Sequence, residues 1–164
     1  MNFKPLPVFL VLLAFVGGLA GLASFNLRPY GSRFRLAQEI TGVRPQIVKT
    51  KSGEIFLSRS VAVIFFNHMG MRAPVRGMVV IDRKAGRVKD VRLDNNIEGI
   101  DRKMGKTESF FERFIDAEVS TPAVVDVVTG ASISSQAIID GVNDALNIWR
   151  EYVDSLSTFS QDLI

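Results

Sequence analysis

The sequence predicts an α+β fold: one mainly antiparallel, twisted sheet with helices packed on one face, preceded by one N-terminal transmembrane helix. Three observations predict it. Leu6 to Phe25 contains no charged residue, and about 20 apolar residues are enough to cross the hydrocarbon core as a helix. From Pro45 to Leu93, short runs rich in β-branched and aromatic residues alternate with glycine-bearing turns, the pattern of hairpin-linked strands. After Ser132, apolar residues recur every three or four positions, at Ile138, Val142, Ala145, Trp149, Tyr152 or Val153, and Leu156, which is the stripe of an amphipathic helix that packs across a sheet. The chain of 164 residues thus divides into an anchor at 1–27, a juxtamembrane linker and helix at 28–44, and one globular domain at 45–164.

The apolar run has two readings. Gly21-Leu22-Ala23 is a small-x-small site and Lys4 a thin positive flank, as in a cleaved signal peptide. The run is longer than the usual apolar region of such a peptide, about 7–15 residues, so a retained anchor is preferred. Gly17 and Gly21 lie four apart within it, a spacing that lets two helix backbones approach in lipid. Arg28, Arg33 and Arg35 follow the run; taken alone, the positive-inside rule puts the domain in the cytoplasm.

Past the linker Arg28–Ser32, Ser32 can cap a helix through Ile40 that ends at Gly42, with Phe34, Ala37 and Ile40 on one face. Gln46–Thr50 and Glu54–Leu57 flank a turn at Lys51-Ser52-Gly53. Ser60–Phe66 is almost continuously apolar and so belongs at the centre of the sheet, with Asn67–Gly70 breaking it. Arg76–Ile81 and Arg87–Leu93 are further strands around a turn at Asp82–Gly86. Asp94–Gly105 is polar and reads as a loop. Thr107 or Ser109 can cap a short helix carrying Phe110, Phe111, Phe114 and Ile115. Val119–Val128, interrupted by Pro122, is extended.

Composition excludes several chemistries. There is no cysteine and a single histidine, His68, so thiolate clusters, a cysteine nucleophile and an ordinary metal site drop out. A Ser–His–Asp triad would require His68 beside the nucleophile, and Gly130-Ala131-Ser132 is not a Gly-x-Ser-x-Gly elbow. The net charge of +3 is spread among acidic residues without a basic block, which argues against nucleic acid.

The stretch that remains is Asp126-Val-Val-Thr129-Gly130-Ala131-Ser132, followed by Ile133-Ser134-Ser135 and the amphipathic helix. A glycine turn, a hydroxyl and a helix start, capped by Ser134 or Ser135, can together hold a phosphate, because the first amides of a helix are unpaired and its dipole favours negative charge.

The spacing Asp-x-x-(Ser/Thr)-Gly-Ala-(Thr/Ser) resembles the flavinylation motif of FMN-binding domains, as in the flavin-carrying subunits of the sodium-pumping NADH:quinone oxidoreductase and of Rnf electron-transport complexes. The hairpin around Val79-Val80-Ile81-Asp82 and Gly86-x-Val88 is similar too. The resemblance implies FMN joined through its phosphate to Ser132, with Asp126, Thr129, Gly130 and Ala131 completing the cofactor-binding motif. It further implies attachment by a flavin transferase using FAD. Two features depart from the family: the acceptor is Ser where Thr is usual, and Asn95, Asn96, Glu98 and Gly99 stand where larger members carry a His and a Glu-Thr-Pro-Gly run. Asn95 and Asn96 are candidates to hydrogen-bond the ring. The implied function is a membrane-anchored flavoprotein subunit relaying electrons within a larger membrane redox complex, with its domain in the periplasm or outside the cell. The alternative is a non-catalytic accessory subunit with a degenerate flavin site.

Overall fold

The computed structural model describes residues 32–70, 73–93 and 110–161. The apolar run at 6–25, the loop carrying Asn95 and Asn96, and the caps Thr107 and Ser109 lie outside the described residues. Among the described residues no helix is long and apolar enough to cross a membrane. Contacts divide the chain into Met1–Leu36 and Ala37–Ile164. Of the first unit only the helical residues 32–36 are described; the architecture below is that of the second.

Five described strands form one antiparallel meander in chain order: β1 (Gln46–Lys49), β2 (Glu54–Leu57), β3 (Val61–Met69), β4 (Pro74–Asp82) and β5 (Arg87–Leu93). The apolar run of β3 is central, as its composition requires. It does not break at Asn67, however. β3 and β4 continue as a ribbon, with Asn67 opposite Arg76, His68 opposite Val75 and Met69 opposite Pro74. The turn is delayed to Gly70, whose amide donates to the Ala73 carbonyl at 3.0 Å. Cross-strand pairing outweighs the weak local preference of Asn67.

The helix Ser132–Gln161 packs mainly across β3 and β4. Its buried Ile138, Val142, Ala145, Leu146 and Trp149 meet Ile64, Phe66, Val79, Ile81, Val88 and Val91 in one core, which Phe110 and Phe114 also enter. Phe66 fixes how closely the layers approach. Its ring lies between Gly77 of β4 and Gly141 of the helix, and a Cβ at either position would overlap it. The end of the apolar stripe overshoots the sheet, leaving Val153 and Leu156 exposed.

The opposite face is buried as well. Phe56, Val61, Val63, Met78 and Val80 are all sequestered, and Phe56 meets Phe65 edge to face with ring centroids 5.4 Å apart. Glu39 and Ile40, of the helix at 32–41, stand on this side and line a cavity of about 350 Å³ with Val61, Val80, Lys89, Asp90 and Arg92. The helices are therefore not confined to one face. The reason is in β2–β4, whose successive residues are apolar on both sides, and a sheet with two apolar faces needs two covers. A bulge contributes: Val80 pairs with Asp90 but Ile81 with Val88, so Lys89 is an extra residue that turns toward the cavity side.

The β1–β2 turn is fastened to the long helix. Glu151 accepts from the Ser52 hydroxyl at 2.5 Å and from its amide at 3.2 Å. Those bonds hold the Glu151 carboxyl below its ordinary range, with the Ser52 hydroxyl the largest cause.

Candidate functional site

Residues 122–128 belong to neither helix nor sheet and lead to the start of the long helix. Two side chains of that helix pin the segment. The Asn143 amide donates to the Ala123 carbonyl at 3.2 Å and accepts from the Ala123 amide at 2.8 Å, taking the place of a neighbouring strand. The Ser135 hydroxyl accepts from the Val128 amide at 3.0 Å and can donate to the Ala131 or Ser132 carbonyl.

Between the pinned segment and the helix lies a tight turn. The Ala131 amide donates to the Val128 carbonyl at 3.0 Å, and Gly130 has φ +82°. A type II turn asks for about +80° at that position. No atom lies within 4 Å of where a Gly130 Cβ would stand, so glycine is required here by backbone conformation rather than by space.

The helix begins at Ser132, earlier than a cap at Ser134 or Ser135 would allow. Its first bond joins the Ser135 amide to the Ala131 carbonyl at 2.9 Å. Ser135 is fully buried and works inward, holding the turn against the helix. The sequence offered three nearby serines, and their burial separates them: Ser132 is exposed, Ser134 half-buried, Ser135 buried. Among the described residues the amides of Ser132, Ile133 and Ser134 have no acceptor, and the first turn holds no acidic residue. The helix start is thus free to favour an anion.

The other motif residues differ in exposure. Asp126, Thr129 and Gly130 are exposed and Ala131 is half-buried. The Asp126 carboxylate has no side-chain or backbone partner among the described residues; its carbonyl accepts weakly from Arg113 Nη1 at 3.4 Å. The β3–β4 turn reaches the same region, since a Cβ on Gly70 would stand 4.0 Å from the Ser134 hydroxyl. His68 is a strand residue rather than a turn residue. Its Nε2 lies 2.7 Å from Asp144 Oδ2, so its ring ties β3 to the long helix instead of serving a serine. Trp149 and Tyr152 face each other at 5.5 Å, and Trp149 belongs to the core.

Residues 70–147 match the sequence profile of a family described as the FMN-binding domain. This stretch is an FMN-binding domain. The FMN-binding domain profile takes in β4, β5, the pinned segment, the turn and the first half of the long helix, while β1, β2 and β3 precede the match yet share its sheet. No curated protein matches the chain significantly. The exposed helix start inside the matched stretch fits the charge that FMN carries: among the described residues it has unpaired amides, no carboxylate in the first turn, and open space at Gly130. Asn143, Arg113 and the inward role of Ser135 were not foreseen from sequence. Asn143 was visible only as a polar residue beside Val142 on the edge of the apolar stripe, and its partner Ala123 is twenty residues away.

Proposed function

We propose that this protein is a membrane-anchored flavoprotein subunit that relays electrons through FMN attached by its phosphate to Ser132, within a larger membrane redox complex. The observation that carries the reading is the exposed Ser132 hydroxyl at an unpaired helix start, inside an FMN-binding domain. Attachment is a group transfer without oxidation. The Ser132 oxygen bonds to the flavin-side phosphorus of FAD, the pyrophosphate P–O bond breaks, AMP leaves, and the hydroxyl proton passes to base. The phosphodiester formed keeps one negative charge, which the helix N-terminus stabilises by roughly 0.3–1 kcal/mol, and the free amides at 132–134 can add charge-assisted hydrogen bonds.

When bound, FMN supplies reversible electron transfer; the chain retains and orients it. A covalent link prevents loss of the cofactor, which matters most for a domain held outside the cytoplasm, the orientation we assign. Gly130 sets the direction of the turn, Ser135 and Asn143 fix the backbone on either side, and Asp126 is left free for recognition by the flavin transferase.

The test is coexpression of the full chain with a flavin transferase, followed by in-gel flavin fluorescence under denaturing conditions and peptide mass mapping. The expected result is a fluorescent band whose FMN maps to Ser132 and is absent in Ser132→Ala. A flavin mapped to Thr129 or Ser134 would overturn the acceptor assignment. Absence of flavin from the wild-type chain would favour an accessory subunit with a degenerate site.

A further inference from the structure

We infer that the cavity on the second face of the sheet binds a small zwitterion with a branched aliphatic body, a free amino acid such as leucine, whose ammonium meets Glu39 and whose carboxylate meets Lys89. The inference goes beyond the flavin reading and does not depend on it, because the long helix that starts at Ser132 packs on the other face. The cavity holds about 350 Å³, near the lower end of the roughly 300–1,000 Å³ of small-molecule sites. Its walls come from elements far apart in the chain. The helix at 32–41 brings Glu39 and Ile40, and strands β3 to β5 bring Val61, Val80, Lys89, Asp90 and Arg92. Ala37, fully buried, seats the helix just before Glu39.

Three of the lining residues, Ile40, Val61 and Val80, are aliphatic, and the two valines are almost wholly buried at the floor. The four charged residues divide into two kinds. Asp90 and Arg92 answer each other, with Arg92 Nε donating to Asp90 Oδ2 at 2.5 Å. Glu39 and Lys89 are left over. Among the described residues neither makes a hydrogen bond or an ion pair, with each other or with any other group. Asp82 does feel Lys89, but its carboxyl is held low chiefly by the amides of Ala85 and Lys84. Lys89 owes its place to the bulge, as the extra residue between the pairs Val80–Asp90 and Ile81–Val88, and bulges re-aim side chains in this way. The cavity therefore presents a carboxylate on its helix wall, an ammonium on its sheet wall and aliphatic surface beneath. A ligand with ammonium and carboxylate on one carbon can bridge the two walls by charge-assisted hydrogen bonds and turn a branched side chain to the floor. A plain anion or cation would answer one wall and bring a like charge to the other, and a hydrocarbon would answer neither.

The test is titration calorimetry of the full chain in detergent with L-leucine, with isocaproate, which lacks the ammonium, and with isoamylamine, which lacks the carboxylate. L-leucine should bind and should shift the amide resonances of Val80 and Lys89. Each analogue should bind about tenfold or more weakly, the scale of losing one hydrogen bond to a charged group. Glu39→Gln should weaken L-leucine by a similar factor while leaving isocaproate unchanged, and Lys89→Gln should weaken L-leucine while leaving isoamylamine unchanged. Both side chains are exposed, so the melting temperature should hold in each variant. Neither heat nor resonance shifts with millimolar L-leucine would overturn the inference, as would equal affinity for the three ligands or binding that both variants leave intact. It would also fall if each single variant lowered the melting temperature and the double variant lowered it no further, since Glu39 and Lys89 would then be partners of each other. None of these outcomes touches the flavin reading, which is decided by the modification of Ser132.

Discussion

At Ser132 the fold and the proposed chemistry make few demands on the same atoms. The hydroxyl is exposed and makes no hydrogen bond among the described residues, whereas Ser135 is consumed by holding the turn. Ser132→Ala should therefore abolish covalent flavin while leaving the thermal transition within about 0.5 kcal/mol of wild type, the usual range for surface changes. Ser132→Thr should still accept flavin, because the hydroxyl remains. Gly130 is constrained by its backbone conformation rather than by its neighbours. A side chain would meet open space but would have to adopt φ +82°, at a cost of roughly 1–2 kcal/mol. Gly130→Ala should lower the urea midpoint accordingly, and Gly130→Asn should recover part of the loss because Asn tolerates that region better. Equal midpoints for the two variants would count against a conformational origin.

At the scale of elements, several contacts seat the long helix. In an isolated helix Gly141→Ala would gain about 1 kcal/mol of helix propensity. Here the new methyl would enter the Phe66 ring, and overpacking of this kind costs roughly 1–3 kcal/mol. A net loss is expected by denaturant unfolding. Phe66→Leu should relieve it in the double variant, because a smaller side chain vacates the clash. Asn143→Ala leaves both polar groups of the largely buried Ala123 without their partner. A loss of about 1–3 kcal/mol follows from the desolvated groups, and faster hydrogen exchange should be confined first to residues 122–128. The Ser52–Glu151 contact adds a pH dependence. Its sign follows from the lowered carboxyl: the contribution is fully present above the ordinary glutamate pKa of about 4.3 and is lost as pH falls through the lower folded value. Asp82, held low by the amides of Ala85 and Lys84, acts with the same sign. Glu151→Gln should therefore flatten the acid limb of a stability–pH curve without reaching neutrality, where wild type should stay the more stable.

For the molecule as a whole, the proposal joins a flavin-carrying domain to a membrane anchor, and each part can be tested alone. The apolar run Leu6–Phe25 should keep the chain in the membrane fraction through alkaline carbonate extraction, and a C-terminal tag should be reachable from outside intact cells. A tag protected in intact cells but exposed on lysis would reverse the orientation. Gly17→Leu should weaken copurification of membrane partners without changing the domain's melting temperature, since the added side chain blocks close helix approach in lipid.

Much of the architecture was legible in the sequence because it follows from short-range pattern. The limits of β2 and β5, the central place of β3, the stripe from Ile138 to Trp149 and the turn at Gly130 all rest on periodicity of two or near 3.6 and on turn chemistry. The resemblance to FMN-binding domains was legible too, as a spacing of residue types, and the family match over residues 70–147 agrees with that resemblance. Tertiary structure decided what depends on contacts distant in the chain. It carried β3 on to Met69 by pairing it with β4, and it placed the helix residues Glu39 and Ile40 on the second face of the sheet. It also turned Ser135 inward and left Ser132 outward. That last distinction is invisible in a run of small hydroxyl residues, since the local sequence gives each serine the same chemistry. Only the packing of the helix against Val128 and Ala131 determines which hydroxyl is spent on the fold and which stays free to react.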